Sequence, residues 1–108
     1  PSRKDGWGAV VNEALMLGTP VVCSAASGSC DLIRQEWVGT VVPAGDVTAL
    51  HLAIDSWARR GRLTRAARQR IRDWSQCINS ASIAKYLETI LVHVYDAGPR
   101  AVAPWRRE

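Results

Sequence analysis

Two carboxylates and two glycines near the start of the chain have the types and spacing to do chemistry. Asp5 is followed by Gly6-Trp7-Gly8, and Glu13 comes after seven intervening residues. Glycine lacks a Cβ, so a ligand can approach the backbone of Gly6 and Gly8 closely. Carboxylates only accept hydrogen bonds, and their natural partners are hydroxyl groups such as those of sugars and ribose. The spacing therefore indicates a site for a ligand that carries several hydroxyls.

A helix is expected to position these groups. The segment from Ala9 has a helical apolar pattern, which ends at Gly18 with Pro20 just beyond. The first helical amides lack internal acceptors, and the helix dipole adds partial positive charge there, so this end suits a phosphate. Helical side chains lean towards the N-terminus, which directs Glu13 back towards the same ligand. The alternative interpretation is that Asp5 caps the helix and that Glu13 is a solvated helix position.

Short strands and helices alternate along the rest of the chain. Apolar runs predict two parallel strands, near residues 20–24 and 39–43. Asp46 is expected to cap the helix after the second strand, and Asn79 or Ser80 is expected to cap the last helix. The fold class that follows is α/β, with three helices closing the chain.

The stretch from Arg59 to Arg72 is rich in arginine, although the formal net charge of the chain is only +4. Arg65, Arg68 and Arg72 share one helix face beside a narrow apolar seam. One interpretation is a basic surface that contacts a membrane with anionic lipid or a polyanionic acceptor; the one we favour is a solvated helix face. Nucleic-acid binding is not expected, because neither stacking aromatic residues nor a recognised motif accompanies the arginines.

Cysteine and histidine usage excludes most metalloprotein classes. Cys23, Cys30 and Cys77 and the two histidines have no metal-ligand spacing, so neither a metal nor another cofactor is expected. No disulfide is required, and no apolar run approaches the roughly 20 residues that span a membrane. A cytoplasmic location fits this composition best. The alternative is a cytoplasmic protein that contacts the inner face of the cell membrane.

A longer motif identifies a family. The run Asp5-Gly6-Trp7-Gly8, then Glu13-Ala14, then Gly18-Thr19-Pro20-Val21-Val22 resembles the donor-binding part of GT-B glycosyltransferases. The resemblance is to the retaining family 4-like group, group 1, typified by bacterial sugar transferases of cell-surface polysaccharide synthesis. It covers about the first half of the chain well and the helical second half loosely. It implies part of a Rossmann-like domain, the C-terminal domain of the GT-B fold.

The resemblance also implies roles for individual residues. Glu13 would hold the ribose hydroxyls of a nucleotide-sugar donor, and Asp5 would bind hydroxyls of the donor sugar. The donor sugar would also face Gly6, Trp7 and Gly8. The diphosphate would face the backbone of Gly8, Ala9 and Val10. The sugar would pass to a saccharide or lipid-linked acceptor with retention of anomeric configuration and without a bound metal, and no residue of this chain is assigned as catalytic.

Two departures from the family pattern favour a second hypothesis. Asp5 replaces the commoner Glu and is one methylene shorter, and Ser27-Gly28-Ser29 stands where a Gly-Gly pair is frequent. The alternative is a non-catalytic nucleotide-binding or assembly module that keeps the fold. A sugar phosphorylase with the same GT-B fold is a third interpretation, but the sequence contains no lysine-centred motif for a pyridoxal cofactor.

The expected organisation has three parts. Residues 1–60 belong to the nucleotide-sugar-binding domain, 61–95 form C-terminal helices of that domain, and 96–108 form a disordered tail in which Trp105 has no assigned role. The chain opens within what should be the end of a strand. We therefore expect a fragment that is inactive alone, with the N-terminal acceptor domain of the same chain lying upstream.

Overall fold

The computed structural model describes residues 6–107. Within this range the chain forms two β-strands and four α-helices. In chain order these are α1 (Ala9–Met16), β1 (Val21–Ser24), β2 (Gly39–Val42), α2 (Val47–Arg59), α3 (Arg65–Ser75) and α4 (Ser80–Asp96). Three short 3₁₀ turns complete the set, at Gly28–Leu32, Gln76–Ile78 and Pro104–Arg106.

The two strands form a parallel pair, as the sequence predicts. Val21 lies opposite Gly39 and Ser24 lies opposite Val42. The crossover between the strands contains the Gly28–Leu32 turn and no α-helix within the described residues. The fold is α/β, with short parallel strands between helices and a helical C-terminal part, which confirms the predicted fold class.

Helix α2 is fixed at its start and against the sheet by side-chain hydrogen bonds. The Asp46 carboxylate accepts a bond of 2.8 Å from the amide of Ala49, so Asp46 is the predicted N-cap. Further along the helix, the Trp57 indole N–H donates to Thr40 Oγ1 on β2 at 3.0 Å. This polar contact sets the position of α2 along the strand, which apolar packing alone specifies poorly.

The chain divides into two compact units, one up to Asp73 and one from Trp74 onwards. The boundary thus falls near the end of α3, whereas the sequence analysis divided the chain after residues 60 and 95. The core of the first unit consists of apolar side chains that are almost wholly removed from water: Leu15, Cys23, Leu32, Val38, Val42, Ala53 and Ile71. Burying each large one contributes about 1.5–3 kcal/mol.

The second unit is built around α4 and the segment that follows it. Asn79 Oδ1 accepts from the Ser82 amide at 2.8 Å, so Asn79 is the N-cap of this helix. The helix ends at Ala97, which adopts the left-handed conformation with φ of 51°. No side chain of α4 is fully buried, in contrast to the helices of the first unit that contribute to its core.

The C-terminal segment differs from the disordered tail that we expected for residues 96–108. Ala103 is buried, and residues Pro104–Arg106 form a 3₁₀ turn. The Trp105 ring lies edge-on to Tyr86, with ring centroids 5.7 Å apart. Trp105 therefore has a packing partner on α4. This contact could not be predicted from the sequence, because only the fold brings the two rings together.

Candidate functional site

Within residues 6–107, no side chain caps the N-terminal end of α1. Gly8 occupies the N-cap position in an extended conformation, and the first turn of the helix carries no acidic residue. Among residues 6–107, the amides of Ala9 and Val10 have no hydrogen-bond partner. These outward-facing amides and the helix dipole form the anion-attracting end that the sequence predicts.

The loop before α1 is tied to a second loop by a backbone contact. The Gly28 amide donates to the Gly6 carbonyl at 2.6 Å. A Cβ at residue 28 would overlap the Gly6 carbonyl oxygen, so only glycine permits this close approach. The altered Ser27-Gly28-Ser29 sequence therefore keeps glycine at the one position where the contact requires it.

Buried hydroxyl groups hold the Ser27-Gly28-Ser29 loop in place. Ser27 Oγ and Ser29 Oγ lie 2.8 Å apart, and Ser29 Oγ is also 3.9 Å from the Cys23 sulfur on β1. Both serines are buried, and a buried hydroxyl without a partner would be costly. Their mutual hydrogen bond lets them replace glycine or alanine here, and it joins the Gly6–Gly8 loop to the sheet through Gly28.

Trp7 lies along the first turns of α1. Its indole N–H donates to Asn12 Oδ1 at 2.9 Å, while 46% of the residue remains exposed. This bond fixes the ring beside the helix end and leaves part of its surface open to a ligand. Asn12 was missed in the sequence analysis. The only sequence signal for this bond was the spacing, with the Trp7 indole N–H five residues before the Asn12 side-chain amide and the start of the helix between them.

Glu13 is the one carboxylate on α1, and it is exposed one turn beyond Gly8. Within residues 6–107 it forms no ion pair or side-chain hydrogen bond. Its oxygens are therefore available to hydroxyls at the N-terminal end of the helix. Asp5, the second predicted carboxylate, lies outside the described residues.

The C-terminal end of α1 is built differently. Arg68 Nη2 and Arg72 Nε, both from α3, each donate to the Leu17 carbonyl at 3.2 Å. Gly18 follows with φ of +76°, and a Cβ there would lie 2.7 Å from the Arg68 carbonyl oxygen. Two of the arginines that we interpreted as a solvated face thus satisfy the end of another helix.

The thiols do not form a reactive centre. All three cysteines are free. Burial raises the pKa of Cys30, and negative charge on Cys23 and Asp31 raises it further. Burial likewise raises the pKa of Cys77, although a backbone hydrogen bond partly opposes this. Because the thiolate is the nucleophile, these shifts make both sulfurs less reactive at neutral pH.

Within residues 6–107, no group of three or more His, Cys, Asp or Glu side chains is arranged to hold a metal ion. Every helix in the same range is too short or too polar to cross a membrane.

Comparison with known proteins identifies the family of the chain. Residues 1–74, which include the loop, α1, both strands and nearly all of α3, match the family described as glycosyl transferases group 1. The chain belongs to this family. The match ends close to the boundary between the two compact units, so the group 1 signature covers the first unit and not α4.

A curated relative extends the likeness beyond the family match. Over 90 residues the chain is 32% identical to a phosphatidyl-myo-inositol mannosyltransferase of Mycobacterium leprae (strain TN). The alignment covers 80% of this group 1 chain and 24% of the relative, so the chain spans about a quarter of the length of that protein. No solved structure matches the chain.

Proposed function

We propose that the chain supplies the donor site of a glycosyltransferase that moves a sugar from a nucleotide-diphosphate donor to a saccharide or lipid-linked acceptor. The observation that carries the proposal is the uncapped N-terminus of α1. The glycine loop before it is held in place by Gly28, and Glu13 is exposed one turn along the helix. A family of glycosyl transferases supplies the reaction class.

The diphosphate is proposed to bind at the start of α1. The amides of Gly8, Ala9 and Val10 are the donors for its oxygens, because the first turn of the helix carries no acidic residue and its amides and dipole attract an anion. A helix end stabilises an anion by about 0.3–1 kcal/mol when exposed and by up to ~2 kcal/mol when partly buried. This is too little to stabilise a leaving diphosphate alone, so further cations are expected from sequence outside these 108 residues.

Two carboxylates are proposed to bind the hydroxyls of the donor. Glu13 accepts from the ribose, since a carboxylate with two free oxygens can receive a hydrogen bond from each of two adjacent hydroxyls. Asp5 accepts from the sugar, and Gly6, Trp7 and Gly8 form the surface against which that sugar lies. Neither carboxylate is proposed as an acid or base, and the transfer is proposed to proceed with retention and without a bound metal.

The name of the matched relative supplies the proposed acceptor. That relative is by its name a mannosyltransferase that acts on a phosphatidyl-inositol, so mannose and an inositol phospholipid are the first sugar and acceptor to test. The reaction is proposed to take place on the cytoplasmic side, at the face of a membrane that carries such an acceptor. Turnover is proposed to need an acceptor domain outside this sequence, so that these 108 residues bind the donor but are inactive alone.

A binding experiment on the complete encoded chain tests the donor site. UDP-, GDP- and ADP-linked sugars, mannose among them, are titrated by calorimetry against wild type and Glu13→Ala. We expect one donor class to bind and Glu13→Ala to weaken it by more than ~1.4 kcal/mol, which is about tenfold in affinity. Glu88→Ala is the matched control, because Glu88 is also an exposed helical glutamate, located on α4.

The same titration separates the proposal from its alternative. The non-catalytic module is favoured by the shorter Asp5 side chain, which has less reach towards a sugar. That module would bind the free nucleotide as tightly as the nucleotide-sugar, and Asp5→Ala would leave both affinities unchanged. If no nucleotide-sugar binds, or if Glu13→Ala and Glu88→Ala behave alike, the donor-site proposal is wrong.

A further inference from the structure

Four arginines surround a shallow cleft near the C-terminal end of α1, opposite to the end proposed for the donor. One part of the cleft has a volume of about 190 Å³ and is lined by Gly18, Thr19, Pro20, Arg62, Leu63 and Arg68. A second part of about 320 Å³ adjoins it, since Leu63 and Arg68 line both, and is completed by Arg65 and Arg72. We call this the arginine cleft.

Two of the four charges of the arginine cleft, those of Arg62 and Arg65, have no acidic partner within residues 6–107. The ion pairs of Arg34 with Asp31 and of Arg59 with Asp55 lie elsewhere. Asp73, the one acid on α3, accepts a hydrogen bond from Gln69 at 2.9 Å. In the part of the chain that the structure describes, Arg62 and Arg65 have no partner of any kind.

The fold explains the presence of only two of the four arginines, Arg68 and Arg72. Arg68 and Arg72 satisfy the Leu17 carbonyl, but each guanidinium carries five N–H donors and can bind a further acceptor. Like charges three and four residues apart on a helix destabilise it, so the addition of Arg65 beside Arg68 and Arg72 costs stability. Neither Arg65 nor Arg62 forms a contact in the described residues that would offset this cost, which indicates a ligand of opposite charge.

The neighbouring side chains indicate what kind of anion. Leu17 is 64% exposed, and Met16 beside it is 44% exposed. The Leu17 carbonyl accepts the hydrogen bonds from Arg68 and Arg72. Exposed apolar side chains next to cations suit the boundary between phospholipid headgroups and acyl chains, because they enter the apolar layer while arginines bind phosphate. A soluble phosphate would use the cations and leave these apolar groups in water.

Nucleic acid is a poorer fit to the same surface. Arg70 stacks over Trp37 at 4.2 Å, but helical geometry places residue 70 on the side of α3 away from residues 65, 68 and 72. Among the described residues, the cleft is lined by no aromatic side chain on which a base could stack.

We propose that the arginine cleft binds the phosphate groups of anionic phospholipids and that Leu17 and Met16 enter the membrane surface beside it. The membrane contact is thereby assigned to the C-terminal end of α1, whereas the donor site is at the N-terminal end. The inference deepens the proposed function by naming the surface that faces a membrane-borne acceptor. It does not depend on which donor is used, or on whether the donor site is active.

Vesicle co-sedimentation of the complete encoded chain tests the proposal. The vesicles are phosphatidylcholine alone, and equal parts of phosphatidylcholine and phosphatidylglycerol. Each cation near an anionic surface contributes about fivefold in affinity, so Arg62→Gln/Arg65→Gln should weaken binding to the acidic vesicles by about thirtyfold. Because neither side chain forms a hydrogen bond or ion pair and Arg65 repels its helical neighbours, the melting temperature should equal or slightly exceed that of wild type.

A matched variant separates a specific cleft from general positive charge. Arg34→Gln/Arg59→Gln removes the same two charges from arginines that already have acidic partners. We expect this control to bind acidic vesicles within about twofold of wild type, because neither arginine lines the cleft and salt screens charges that lie outside the contact surface. An equal loss in both double variants would overturn the proposal, as would equal binding of wild type to neutral and acidic vesicles.

Two further arms distinguish the source of the phosphate. Leu17→Ser keeps every charge, and it should weaken vesicle binding severalfold at high salt, where the electrostatic contribution is screened. Soluble glycerol phosphate is titrated in parallel. Binding of glycerol phosphate that requires Arg62 and Arg65, without binding to vesicles, would show a site for a soluble anion and would overturn the membrane proposal.

The donor titration keeps this proposal separate from the first. Arg62→Gln/Arg65→Gln should bind nucleotide-sugar with wild-type affinity, because the arginine cleft lies at the other end of α1. A wild-type donor affinity with unchanged vesicle binding would refute only the membrane contact. Loss of donor affinity in Glu13→Ala with intact vesicle binding would sustain both proposals.

Discussion

The two ends of helix α1 differ in what completes them. At the C-terminal end, Arg68 and Arg72 donate to the Leu17 carbonyl and Gly18 turns the chain in the left-handed conformation. At the N-terminal end, glycine stands at the cap position and no side chain of residues 6–107 bonds to the first amides. Every helix has unsatisfied groups at both ends, so an end that the protein completes is structural and an end left open is available to a ligand.

This comparison also explains how stability and binding can be separated. Substitutions at the completed end should change the free energy of unfolding and leave donor affinity unchanged. Substitutions at the open end should do the reverse, because few internal contacts of the protein depend on it.

The largest effect is expected for Gly18→Ala. Alanine in the left-handed conformation costs about 1–2 kcal/mol, and its Cβ would also press on the Arg68 carbonyl oxygen, giving about 2–3 kcal/mol in total. Urea denaturation measures the loss. Gly61→Ala is the control, because Gly61 has a similar φ of +72° but open space around it, and it should lose only about 1 kcal/mol. Equal losses at both positions would show that the contact with α3 is unimportant.

The arginine pair is expected to rank second. Arg68→Ala/Arg72→Ala leaves the Leu17 carbonyl without either donor and should lower the free energy of unfolding by about 1–2 kcal/mol, since both side chains are exposed and their bonds compete with water. Arg65→Ala serves as the control because it makes no such bond, and it should stay within about 0.5 kcal/mol of wild type. Donor affinity measured by calorimetry should be unchanged in both.

In helix α4, a substitution is expected to stabilise the chain. It ends at Ala97 in the same left-handed region that Gly18 adopts, but with a residue that disfavours it. Ala97→Gly should therefore raise the melting temperature and stabilise the chain by up to about 1 kcal/mol. Ala84→Gly, inside the same helix, should destabilise by about 1 kcal/mol and excludes a general benefit of glycine. A loss at both positions would show that residue 97 is not strained.

The smallest effect belongs to the open end. Asn12→Ala removes the acceptor of the Trp7 indole, and without it the ring is held less firmly beside the proposed donor sugar. We expect donor affinity to fall by about 0.5–1 kcal/mol with no measurable change in unfolding. Trp7→Phe deletes the same bond from the other side, so the two changes should not be additive. Additive losses would mean that the bond does not position the ring.

The sequence predicted those parts of the fold that short-range signals determine. Gly8 and Gly18 bound the first helix as expected, Asp46 and Asn79 cap the helices that they precede, and both strands lie where the apolar runs placed them. Each of these features depends on residues within a few positions of one another. The fold class and the position of the open helix end could therefore be predicted before the structure.

Contacts between distant segments could not be predicted. The bonds from Arg68 and Arg72 to Leu17 join residues 51 and 55 positions apart, and nothing in an arginine-rich stretch identifies one carbonyl as its partner. The same holds for the Gly28 amide on the Gly6 carbonyl and for Trp105 against Tyr86. Of the site, the loop and helix end were predictable from spacing, while the groups that hold the loop in place were not.

The parallel pairing of β1 with β2 bears on how fast the chain folds. Val21 meets Gly39 across a crossover with a single 3₁₀ turn, so little chain has to be closed before the ladder can form. The entropy of closing a loop rises only slowly with its length, and proteins with short-range contacts fold fastest. We therefore expect the sheet to appear in the earliest refolding phase. The long-range hydrogen bonds from α3 to Leu17 should form later and should mainly lower the rate of unfolding.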